Sequence, residues 1–205
     1  MNRKIFSLII GFILFISCSA ALVADFEYQL DFTSRYIWRG FDLNPNKQPA
    51  LQPSIEYSCG DCGFTFNLWS SISLNNNDYH EIDLNFTYKL KISRDLILGA
   101  GFIFYGWYFI EDFSFSENTS QEVFFSAALP NLFFHPKLTV YYDFANGDGI
   151  YVLLESQYTH QFSGSIKASF LTSLGYNGGQ WLAEGTEPGF SDLNFKFSPS
   201  FKLKR

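Results

Sequence analysis

The residues whose types could do chemistry in this chain are few, and most of them crowd together. His80 stands beside Asp78 and Glu81, with Ser73 a short way upstream, so a nucleophile, a base and a carboxylate are all present by type. They share one polar segment rather than arriving from separate elements, and that spacing reads as a solvated histidine at a rim. His135 falls in a turn and His160 at a strand end. No catalytic residue is assigned and no enzyme is expected. The polar runs at 75–78 (NNND) and 146–149 (NGDG) carry oxygen ligands but lack the spacing of a calcium loop, so turn chemistry accounts for them. Cys59-Gly60-Asp61-Cys62 could be a redox pair or half a zinc site, yet no second CxxC or histidine pair completes a cage. A disulfide between Cys59 and Cys62 across a Gly-Asp hairpin turn is the expectation. No metal and no cofactor follow from these motifs.

What remains is charge placed at every second position. In 25–40, DFEYQLDFTSRYIWRG, one alternate set is Phe26, Tyr28, Leu30, Phe32, Ser34, Tyr36 and Trp38; the other contains Glu27, Asp31, Arg35 and Arg39. A period of two sends these sets to opposite faces of a strand. The same split puts Glu81, Asp83 and Lys89 opposite Ile82, Leu84, Phe86 and Tyr88, and it places Glu155 and Lys196 on polar faces. These nine residues (Glu27, Asp31, Arg35, Arg39, Glu81, Asp83, Lys89, Glu155 and Lys196) are the candidates for lining an enclosed polar lumen. They could neutralise one another as ion pairs, or form a charged constriction that selects small solutes. Tyr105 and Trp107 could join them as a plug or a stacking surface.

The elements that must position such a face are strands. The alternation predicts ten of them: 25–40, 51–57, 63–74, 80–92, 96–110, 121–129, 137–144, 150–161, 165–176 and 190–203. The uncharged run 96–110, LILGAGFIFYGWYFI, is short for a spanning helix and holds three glycines among aromatics, so it reads as a strand apolar on both faces, with a helix as the alternative. Ten is an even count, with eight or twelve as alternatives, and the longest connections fall mainly after the first, fifth and ninth strands. An all-β, antiparallel up-and-down transmembrane barrel fits this pattern, with both ends of the chain periplasmic. A soluble β-sandwich or lipocalin-like barrel is the competing fold. Ten tilted strands give a backbone radius on the order of 10 Å, too small for a wide aqueous pore.

Composition agrees with that address. Aromatic residues make up 20% of the 205, with 25 Phe, while mean hydropathy stays near zero. A barrel greasy outside and wet inside has this balance. Residues 1–24 read as an export signal: Arg3 and Lys4, an apolar stretch 5–16, then small residues before a cut after Ala24 or Ala21. Cys18 raises a lipoprotein alternative. The barrel domain then covers 25–205, with a net charge of about −8, which argues against nucleic acid.

The segments TSRYIWRG (33–40), SQEVFF (120–125) and LTVYYDFANGDGIYV (138–152) resemble the Gcw_chp group of TorF-type porins. The likeness runs through most of the exported part. It implies a Gram-negative outer-membrane β-barrel with outer-membrane lipid around it and the barrel-assembly machinery as a partner in biogenesis. The expected function is a narrow channel for small solutes. The alternative is a closed structural or adhesive barrel acting through its extracellular loops, without transport.

Overall fold

The computed structural model describes residues 24–44, 46–60, 62–74, 80–108, 119–182 and 185–201; the expected export signal lies outside them. Ten long strands form one antiparallel sheet: β1 (Ala24–Thr33), β4 (Ala50–Cys59), β5 (Phe64–Ser73), β6 (His80–Lys91), β7 (Ile97–Tyr108), β8 (Thr119–Ala128), β9 (Lys137–Asp143), β10 (Gly149–Ser163), β11 (Ile166–Asn177) and β12 (Gly189–Phe201). Two short strands, β2 (Ile37–Trp38) and β3 (Phe41–Asp42), make a separate ribbon. Each long strand pairs with the next along the chain, so the sheet is an up-and-down meander with no crossover. The connections 34–49, 109–118 and 178–188 leave one end of the sheet, and the shorter 60–63, 92–96 and 164–165 leave the other. β1 and β12 are the two edges, and no hydrogen bonds join them among the described residues.

Register confirms the alternation strand by strand. Phe66 faces Phe86 and Leu68 faces Leu84 on one side, while Asn67 faces Asn85 and Trp69 faces Asp83 on the other. Aromatic cross-strand pairs recur along the first face, with ring centroids 4.9 Å apart for Phe66–Phe86 and 5.0 Å for Phe170–Phe197. This apolar face is the exposed one: Leu30 is 69%, Phe125 66% and Phe195 76% accessible. Most of the buried side chains are instead polar, Ser120, Glu122, Asp143 and Gln180 among them, beside a small hydrophobic cluster of Ile103, Tyr105 and Phe124. The run 96–110 is strand rather than helix where it is described, and the inward positions of β7 hold Ile103, Tyr105 and Trp107. Among the described residues no helix is long and apolar enough to cross a membrane.

The stretch 25–40 departs from the expected single strand. β1 ends at Thr33, and the chain then turns off the sheet. The physical cause is the two-residue hairpin Arg39-Gly40 between β2 and β3, whose φ values are +48° and +86°. Positive φ at both central positions is the turn geometry that matches strand twist, and Gly at the second makes it accessible. A Cβ on Gly40 would sit 2.7 Å from the Ser191 carbonyl oxygen of β12, so this hairpin is packed onto the far edge strand. Tyr36 and Trp38, expected on the oily face, therefore turn inward instead.

Cys59 and Cys62 are joined by a disulfide across the β4–β5 turn.

Candidate functional site

The β2–β3 hairpin delivers Arg39 into the concave side of the sheet. Its side chain is 8% exposed and that of Glu122, on β8, is 0% exposed. The two meet fork to fork: Nη1 donates to Oε2 at 2.6 Å and Nη2 to Oε1 at 2.9 Å. A bidentate pair fixes direction as well as distance. Glu122 also accepts from the Tyr105 hydroxyl of β7 at 3.0 Å and from Gln180 Nε2 at 2.7 Å. Gln180 in turn accepts from Arg39 at 2.5 Å. The guanidinium lies over three rings, Trp38 at 4.6 Å, Tyr141 at 4.2 Å and Tyr151 at 4.3 Å. Burying a charge costs several kcal/mol unless it is paired and hydrogen-bonded, and here the Glu122 carboxylate accepts four hydrogen bonds and Arg39 donates three.

Local sequence explains why Gln180 points inward. Asn177 ends β11 and caps the following turn, donating through Nδ2 to the Gln180 carbonyl at 2.8 Å and accepting from Gly179 N–H at 3.0 Å. Gly179 takes φ +130°, which a side chain would resist. The Trp181 amide then donates to the Gly147 carbonyl at 3.0 Å, tying this loop to the 144–148 turn. That turn is held from below: Ser120 Oγ lies 2.7 Å from each Asp143 carboxylate oxygen and accepts from the Asn146 amide at 3.1 Å.

Two cavities flank the Arg39 hairpin and share Trp38 as a wall. The outer one, about 720 Å³, is lined by Tyr36, Trp38, Phe41, Glu81, Trp107 and Trp181 among others. The inner one, about 390 Å³, draws Asn67, Asp83, Tyr105, Tyr151, Asp192 and Asn194 from five different strands. The sheet therefore curls far enough for β5 and β12 to face one space. Tyr36 packs against Trp69 at 5.4 Å. Burial, then the Glu81 and Asp83 carboxylates, hold the Tyr36 phenol well above its ordinary value, so it keeps its proton.

Of the residues expected in a lumen, Arg39, Glu81 and Asp83 come together around these cavities. Glu155 also faces inward, with Lys137 Nζ donating to it at 2.9 Å. Glu27 lies directly opposite Glu56, and Asp31 accepts from Gln29 at 2.6 Å. Lys89 lies opposite Gly99, towards the short-turn end, and Lys196 opposite Leu171. Arg35 is different: it leaves the sheet with the hairpin and pairs with Asp42, because the chain bends after Thr33. An ion pair of Lys196 with Glu27 or Asp31 would need the two sheet edges joined, and among the described residues no hydrogen bonds join them.

Sequence reasoning missed Glu122, Gln180, Tyr141 and Tyr151 as members of the site. Glu122 had a signal, since it is the one charged residue in TSQEVFFSAA. Gln180 had none, because a Gly-rich loop carries no periodicity. Among the described residues no group of His, Cys, Asp and Glu is placed to hold a metal ion. No protein-family model matches the chain, and no curated protein or solved structure matches it either.

Proposed function

We propose that this chain is an outer-membrane β-barrel whose lumen is a narrow passage for small solutes, constricted by the Arg39–Glu122–Gln180 cluster. The reading is carried by one observation: the ten strands turn their aliphatic and aromatic face outward and gather carboxylates, amides and hydroxyls around an inner space. In water such a surface invites association; against acyl chains it is the favourable arrangement. Joining β1 to β12 completes the barrel, because an unpaired strand edge in hydrocarbon costs several kcal/mol per polar group. Charge favours the same closure. The like-charged pair Glu27–Glu56 on β1 and β4 needs cations, and Lys196 and Lys167 stand on the inner face of β12 and β11. The resemblance of 33–40, 120–125 and 138–152 to TorF-type porins implies the same role.

Planar-bilayer recording on the refolded exported chain tests the passage. Small, discrete conductance steps are expected, and Arg39→Ala should enlarge them by removing the guanidinium from between the two cavities. Baseline current in both proteins would leave the closed, structural barrel as the reading.

A further inference from the structure

We infer that the outer cavity is a binding site for a small organic cation of the alkylammonium class. This takes the lumen of the proposed barrel as its frame, but binding is measured without conduction, so the two readings fail separately.

Three of the four tryptophans of the chain, Trp38, Trp107 and Trp181, line this one cavity, together with Tyr36 and Phe41. Trp107 and Trp181 meet edge to face, 5.5 Å apart at 83°, so they form a corner rather than a flat stack. Faces of aromatic rings attract cations, and several rings around one void make a cage for ammonium groups too bulky to be well hydrated. The protein already uses this chemistry one level deeper, where Trp38, Tyr141 and Tyr151 enclose the Arg39 guanidinium. The outer cage has the rings but no cation of its own among the described residues.

Its charge is also unbalanced. Glu81 is 3% exposed and lines the cavity. Asp83 lies one inward step along β6, and its buried Oδ1 has no hydrogen-bond partner among the described residues. Neither carboxylate has a lysine or arginine within ion-pair distance there, since Arg39 is held by Glu122 and Arg35 by Asp42. Two neighbouring buried carboxylates repel and are poorly solvated, so without a cation they neutralise by holding a proton; a cation between the rings lets them ionise and pairs with them. A neutral sugar would stack on the same tryptophans but would gain nothing from that pair.

The test is tryptophan emission of the refolded exported chain in detergent, titrated with choline. The comparisons are its neutral isostere 3,3-dimethyl-1-butanol, sodium ion and glucose, at constant ionic strength. Choline is expected to give a saturable change, with the isostere and glucose at least about tenfold weaker. Glu81→Gln should raise the choline half-saturation concentration about tenfold or more, and Trp181→Leu should do the same from the opposite wall. Should Glu81→Gln not refold, Trp181→Leu decides the location. No saturable response to choline, an equal response to the isostere, or a response to glucose alone would overturn the assignment. So would a choline response unchanged by Trp181→Leu.

Discussion

Arg39 and Glu122 are where single substitutions should speak most loudly. Arg39→Ala leaves a fully buried carboxylate without its cation, which should cost about 3–5 kcal/mol. The double variant Arg39→Ala with Glu122→Gln should recover part of that loss, because the orphaned charge goes with it. Urea unfolding of the refolded protein measures both, and a double variant no more stable than Arg39→Ala alone would contradict the charge argument. Arg39 was legible as an inward charge from its place in the alternation. Its partner was not, because pairing across eighty-three positions depends on how the sheet curls.

At the scale of elements, the β2–β3 hairpin is the part that sets Arg39 and its ring of aromatic side chains into the concave side of a plain meander. Gly40 adopts φ +86° and sits against β12, so Gly40→Ala should unseat the hairpin and release Arg39. The expected readout is an increase in conductance of the same sign as that of Arg39→Ala, and no change would mean the hairpin tolerates the methyl group. Strand facing gives a second check on β12. Phe195→Arg should cost about 2–4 kcal/mol if it faces the bilayer midplane, while Asn194→Arg, on the inner cavity, should cost little and alter ion preference. Equal costs would remove the facing assignment. Nine of the ten long strands lie within two residues of the stretches expected from sequence. The first runs shorter than expected, because an alternating pattern cannot tell a strand from a chain that turns over and presents the same residues to a cavity. Tyr36 and Trp38 are the residues that paid the difference.

For the whole molecule, the exposed apolar face and the polar interior make one prediction together. The chain from residue 25 onward should need detergent or lipid to stay in solution and should resist extraction from membranes by salt or carbonate. Monodisperse protein in plain buffer would favour the soluble ligand-binding barrel. Closure is tested by cysteines placed along 27–31 in turn, each with Lys196→Cys. A disulfide between β1 and β12 is expected for at least one pair, and none across the series would mean that the edges stay apart.

From the residue order alone came the places of the long strands, the split of most of them into an apolar and a polar face, and the hairpin turns. These are local properties, set by a period of two and by turn residues, and no distant contact is needed to read them. Only the folded chain decided that 34–42 leaves the sheet, that Arg39 is clamped by Glu122 and Gln180, and that three tryptophans share a cavity with Glu81. Those depend on the curl of ten strands bringing β5 opposite β12, a geometry that no stretch of sequence carries by itself.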